Sequence, residues 1–171
     1  MWRPYPQCVR ISNGDLMTEP SLSRNETAIL AELQSDARQT NRALASKVGL
    51  AASTTLDRTR DLERRGVITG YHADVDLRAL GRGLQAFVSV RVNPKNEDVV
   101  EGIVGRLWEL PETIGVFLVS GSDDLLIHVA VRDTDHLRSV VLSEIAGLDG
   151  VVDETTSLIF EHRRKAAIEP L

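Results

Sequence analysis

RQTNRALASKVGLAASTTLDRTRDLERRG, residues 38–66, decides the reading of this chain. Thr40 is an N-cap candidate for a short helix through Leu44, Ala45 and Val48, and Gly49 stands where a left-handed C-cap residue is wanted. A further helix runs from about Ala52 to Arg65 and stops at Gly66. Upstream, Ser23 followed by Glu26 fits a capping box, in which each side chain satisfies a backbone N–H of the other residue. Ile29, Leu30 and Leu33 continue that first helix until Ser35-Asp36. Three short helices with a tight Val48-Gly49-Leu50 turn between the last two form a helix-turn-helix, which braces one helix on a DNA backbone and lays the next in the major groove. The same spacing also suits a plain three-helix bundle with solvated charges.

In the third helix Thr55, Thr59 and Leu62 share one side, expected to turn toward Leu30, Leu44 and Val48. Ser53, Thr54, Asp57, Arg58 and Arg60 are left for the opposite side and the first turn. Arginine pairs with guanine or phosphate through two parallel hydrogen bonds, and hydroxyls reach either. Arg38 and Thr40, before the second helix, are placed for phosphate oxygens near a helix N-terminus.

The net charge of −5 conceals an asymmetry. Asp36–Ile68 holds seven basic against four acidic residues, whereas Arg82–Leu171 holds nine against fifteen. A basic module joined to an acidic one suits a DNA reader with a partner domain that does not touch DNA.

Residues 1–20, with Pro4, Pro6, Gly14 and Pro20, read as a disordered leader, and Met17 offers an alternative start. The helix-turn-helix domain is placed at 21–68 and a strand-and-linker segment at 69–83. Within these, Val67–Val75 reads as a short strand or wing and Leu77–Gly83 as a linker. From Leu84 the rhythm changes. LQAFVSVRV is a strand, and Asn96 or Glu97 opens a helix. IGVFLVS and LLIHVAV flank a tight Gly121-Ser122-Asp123-Asp124 turn. Asp133 or Thr134 caps a helix through Leu137, Val140, Val141 and Ile145, and a last strand spans Val151–Phe160. The order β-α-β-β-α-β is the ferredoxin-like unit at 84–164, followed by a tail at 165–171; the whole is an α+β protein. Such a sheet has one face without helices, and dimerisation through that face would cover it.

The run ARQTNRALASKVGLAASTTLDRTRDLERRGVITGYHADVDLRALG, residues 37–81, resembles the DNA-binding part of the Lrp/AsnC family, the feast/famine transcription regulators. Leu44-Ala45, Val48-Gly49-Leu50, Arg58, Leu62-Glu63, Gly66-Val67-Ile68 and Gly70-Tyr71 fall in the family's register, and the likeness extends over about residues 21–164. It implies a winged helix-turn-helix followed by an amino-acid-responsive domain (RAM/AsnC type), homodimers that assemble into tetramers, octamers or more, and an amino-acid effector held between dimers beside the G-x-x-D turn. A zwitterion needs an acceptor for its ammonium and N–H donors for its carboxylate. On the resemblance, Asp124 and Asp123 receive the ammonium, Gly121 and Ser122 leave amides approachable, and Thr134 opens a helix whose N-terminus favours a carboxylate. Ser157 and Leu158 match pocket-lining positions. On its residues alone the turn reads first as a solvated hairpin loop.

Three departures stand out in the DNA-binding part. Ala51 replaces a serine that caps the recognition helix, with Ser53 an alternative start for it; Ala37 replaces a glycine; and Thr55 and Thr59 replace more apolar residues, which implies looser packing of that helix. In the second domain, Gly-Ser-Asp-Asp replaces the common G-D-[YF]-D.

No apolar run approaches the roughly 18–20 residues that span a bilayer, and Cys8 alone makes neither a disulfide nor a cysteine zinc site, so a cytoplasmic, nucleoid-associated protein with no membrane partner is expected. Sirohaem decarboxylases resemble the same two-domain architecture and would make this an enzyme. Yet His72, His128, His136 and His162 show no metal spacing, and no nucleophile signature or phosphate-binding glycine loop is evident. Neither a metal nor a cofactor other than the effector is therefore expected. The remaining alternative is a DNA-organising protein without ligand response.

Overall fold

The computed structural model describes residues 22–169; the expected leader at 1–20 and the last two residues of the tail lie outside them. The chain folds as two compact units, one ending at Ala73 and taking back the chain from Arg164, the other being Asp74–Arg163.

The first unit is built on α1 (Arg24–Ser35), α2 (Asn41–Val48) and α3 (Ala52–Arg64). Ser23 caps α1 in a complete capping box, Thr40 caps α2, and Gly49 ends α2 at φ +69°, a left-handed conformation that costs glycine nothing. Ile29, Leu44 and Leu62 are the buried centre, and Leu30, Leu33, Val48, Val67 and Ile68 pack around them. One expectation is corrected. Val67–Val75 forms no strand: the amides of Val67 and Ile68 bond back to the Leu62 carbonyl at 2.9 and 3.2 Å, closing the helix end rather than joining a ladder. The third helix starts at Ala52, as its pattern predicts, with Ala51 in the cap position and no side-chain bond there.

The second unit holds β1 (Leu84–Val92), α4 (Glu97–Glu109), β2 (Thr113–Leu118), β3 (Leu125–Val131), α5 (Thr134–Ser139) and β4 (Val151–Leu158). The sheet order is β2-β3-β1-β4, antiparallel throughout, as the split β-α-β unit requires. Asn96 caps α4, accepting from the Val99 amide at 2.9 Å. Ala86, Val88, Val90 and Val92 of β1 and Leu125, Ile127, Val129 and Val131 of β3 point into a core closed by Ile103, Leu107, Leu137, Val140, Val141 and Ile145. Alternation puts Phe87, Ser89, Leu126, His128 and Phe117 on the opposite face. Phe87 and His128 pair across it with ring centroids 4.7 Å apart, and Phe117 is half exposed. The second helix differs from expectation. After Ser139 it widens into a π-helix, Val140–Ile145, with the Ala146 amide bonded to Val141 at 2.8 Å. Its apolar spacing fits either helix type, so the sequence carries no mark of the change. The last strand stops at Leu158 rather than Phe160, whose side chain stands in solvent.

Candidate DNA-binding and effector sites

Helical periodicity places Ser53, Asp57, Arg60 and Arg64 along the side of α3 facing away from Thr55 and Leu62, which are fully buried. Thr55 does not loosen the packing. Its hydroxyl donates to the Ala51 carbonyl at 3.0 Å, and that of Thr59 to the Thr55 carbonyl at 2.9 Å, so each polar group is satisfied within its own helix. Thr54 is exposed at the open N-terminal turn. Arg58 lies on the flank, three residues from Thr55, and is half-buried; its Nε is buried with no hydrogen-bond partner. It therefore does not share the outward stripe of Asp57 and Arg60. Leu56, absent from the sequence-derived set, is exposed beside that stripe; an apolar residue there gave no polar signal to find it by.

Arg38 is exposed at the entry to α2, where its amide bonds the Asp36 carboxylate at 2.9 Å. The Thr40 hydroxyl is already engaged, accepting from the Ala43 amide at 3.2 Å. Asn41 ties the starts of the two helices together by donating to the Ala52 carbonyl at 2.7 Å. Charge pairing then sorts the cations. Lys47 pairs with Glu32, Arg64 with Asp61, and Arg65 with both Glu26 and Asp61. Arg38, Arg42, Arg58 and Arg60, on or beside α2 and α3, make no ion pair with any described residue, which leaves these four charges of the helix-turn-helix open to an external anion.

In the second unit the β2–β3 connection is closed by the Val119 amide bonding the Asp124 carbonyl at 2.9 Å. Gly121 (φ +146°) and Ser122 are exposed, and the Ser122 hydroxyl lies 3.1 Å from the Asp123 carboxylate. Asp124 is committed within its own chain. One oxygen accepts from the Val92 amide at 2.9 Å and the other pairs with Lys95 Nζ at 2.8 Å; Lys95, together with the backbone bond, holds its carboxyl below the usual range. Lys95 was not anticipated; nothing in its spacing tied it to the turn.

Thr134, Ser157 and Leu158 do not join that turn. Thr134 follows the far end of β3, about 20 Å along a strand that rises roughly 3.3 Å per residue. Ser157 and Leu158 stand opposite Phe87 and Ala86, two strands over and several residues along from the Val90–Leu125 pair next to the turn. Asp133, not Thr134, caps α5, accepting from the His136 amide at 2.8 Å. One chain thus does not bring these residues to a single site. Among the described residues no group of histidine, cysteine or carboxylate side chains could hold a metal, and no helix is long and apolar enough to cross a membrane.

Residues 22–69 match the winged helix-turn-helix DNA-binding family and residues 85–166 the Lrp/AsnC ligand-binding domain. The chain is 40% identical over 139 residues to the HTH-type transcriptional regulator AldR of Mycolicibacterium smegmatis, covering 81% of each. It is 34% identical over 145 residues to the leucine-responsive regulatory protein of Escherichia coli, covering 85% of this chain and 88% of that one. A solved transcriptional regulator from Neisseria meningitidis, in complex with L-Met, superposes with a TM-score of 0.79 at 28% identity, over 85% of this chain and 94% of that one. These relatives are transcription regulators rather than enzymes, which removes the decarboxylase alternative. The chain belongs to the Lrp/AsnC family: it is a DNA-binding transcriptional regulator with a helix-turn-helix domain and a small-molecule ligand-binding domain.

Proposed function

We propose that this regulator responds to a free amino acid bound between copies of the chain, and that assembly of those copies sets how its helix-turn-helix units engage promoter DNA. The division of the candidate effector residues carries this reading. The Gly121–Asp124 turn lies at one end of β3, Ser157 and Leu158 stand beside the middle of β1 two strands over, and Thr134 follows the far end of β3, so a ligand a few ångströms long meets the turn and these residues only if a second copy supplies some of them. The solved relative in complex with L-Met supports an amino acid as the chemical class. The sheet face carrying Phe87, Leu126 and Phe117, away from the helices, supports a homodimer, which larger assemblies would extend.

On DNA, Arg60, Asp57, Ser53 and Thr54 are the base-facing set, and Arg38, Thr40 and Arg58 serve phosphates. A ligand at a shared interface acts by favouring one assembly over another. The protein works in the cytoplasm at the nucleoid. Calorimetry with a panel of amino acids, beside a footprint on the protein's own promoter, tests the reading. Heat of binding with an altered footprint is the expected result. A footprint that no amino acid changes would instead support a ligand-independent DNA-organising protein.

A further inference from the structure

Leu56 is the one large apolar side chain that α3 leaves exposed, at 37%. The helix's other leucine, Leu62, is fully buried with Thr55, and Leu56 belongs neither to that centre nor to the apolar residues packed around it. With about 3.6 residues per turn, Leu56 is rotated roughly a quarter-turn from Thr55, toward the side that carries Ser53, Asp57 and Arg60. It follows Ser53 by three residues and precedes Arg60 by four, the spacings at which side chains are neighbours on a helix surface. Ser53, Leu56 and Arg60 therefore form one exposed ridge, with an apolar side chain set between a hydroxyl and a cation. A single exposed leucine needs no account elsewhere on a protein surface. On a helix that enters the major groove it meets base edges, and only one of these is apolar: the C5-methyl group of thymine.

We propose that Leu56 is a specificity-determining residue, which reads the methyl group of a thymine lying between the bases met by Ser53 and Arg60. It rests on Ser53 and Arg60 facing bases, as in the function proposed above. Two effects select an A·T pair at this place. The thymine methyl and the leucine leave water together, which is favourable. The edge of a G·C pair offers only donors and acceptors there, and leucine displaces their water without replacing its hydrogen bonds. Arg60 brings charge and hydrogen bonds to the same ridge; Leu56 brings neither, so its share of the binding does not depend on counterion release and is nearly independent of salt.

Equilibrium binding of the full chain to its footprinted promoter fragment, made with thymidine or with deoxyuridine throughout the site, tests this. Uracil keeps the base pairing and loses only the C5-methyl group. Wild type should bind the thymine fragment about fourfold more tightly, the worth of one buried methyl group. Leu56→Ala should lose that preference, and Leu56→Met, which keeps a long apolar side chain, should retain it. Alanine is a strong helix former and the position is exposed, so α3 survives the change. Comparing the two ratios, rather than reading either alone, cancels the change in stiffness that loss of every methyl group brings to the DNA. A thymine preference that persists in Leu56→Ala overturns the proposal, and so does a wild type with no preference. Arg60→Ala separates this from failure of the underlying reading. If that variant still discriminates the promoter from a scrambled fragment, the ridge does not face bases and the proposal falls with it. If discrimination is lost while Leu56→Ala keeps the thymine preference, Leu56 alone is misassigned.

Discussion

Lys95 Nζ lies 2.8 Å from Asp124 Oδ1, while the other oxygen of that carboxylate holds the Val92 amide. Asp124 is therefore a brace between the turn and the end of β1. On the function proposed above, an incoming ammonium group would have to share Asp124 with Lys95 or displace it. Asp124→Ala should remove any amino-acid effect on the footprint and leave basal DNA binding in place. It also leaves the Val92 amide without its partner, at about 1–3 kcal/mol if water does not replace it. Lys95→Ala should keep the fold and change effector affinity alone. Titration calorimetry on both variants separates the roles; loss of basal DNA binding in Asp124→Ala would count against the division of labour between the domains.

Glu26 gives the DNA-binding unit an acid-side limit. Its carboxylate accepts from the Ser23 hydroxyl and amide and from Arg65, and these bonds, led by Ser23, lower its pKa from 4.5 to about 2. A carboxyl lowered on folding adds stability that is fully present above its unfolded pKa and lost as pH falls through its folded one. The contribution should therefore drain away between about pH 4.5 and 2. Glu26→Gln should flatten that part of a stability–pH curve, and Ser23→Ala should cost about 1 kcal/mol at neutral pH through the lost cap. Chemical denaturation at several pH values is the measurement; a Glu26→Gln curve that runs parallel to wild type would refute the assignment.

Elements whose register is fixed by one local residue were legible in the sequence. Ser23, Thr40 and Asn96 announced three helices, and β1 and β3 announced themselves through largely apolar, β-branched-rich runs. What the sequence concealed depends on partners far along the chain or on none. Val67–Val75 has strand-forming residues but no neighbouring strand. The π-helix at Val140–Ile145 keeps the apolar spacing of an α-helix. Arg58 looked like a reader of DNA because arginine is one; only the helix phase shows it on the flank. The pairing of Gln34 with Ile168 leaves no trace in either local pattern.

Arg60 and Arg58 should behave differently on DNA. Arg60 is exposed on the outward stripe of α3, so Arg60→Ala should cost about 1–3 kcal/mol and relax sequence preference. Arg58 is half-buried beside the core, so Arg58→Ala should weaken specific and nonspecific DNA binding alike and lower the salt slope by about one. Gel shifts over a salt series on the promoter fragment and a scrambled fragment distinguish them. Equal losses of specificity in both variants would place Arg58 at a base edge after all.

Ala51 occupies the N-cap of α3 with extended backbone (φ −65°, ψ 145°) and no side-chain bond, so the geometry for a cap exists and the oxygen is missing. Ala51→Ser should supply it, with its hydroxyl accepting from an amide of the first turn, and stabilise the unit by roughly 0.5–2 kcal/mol. The residue is exposed, so no packing is disturbed. The competing outcome is physical too: Asn41 already draws on the Ala52 carbonyl at 2.7 Å, and a serine that reorients that turn would lengthen this bond. A higher unfolding midpoint with an unchanged denaturant slope marks the cap as restored. A lower midpoint would show that the link from Asn41 to α3 is the stronger constraint, and Asn41→Ala in the same background should then erase the difference.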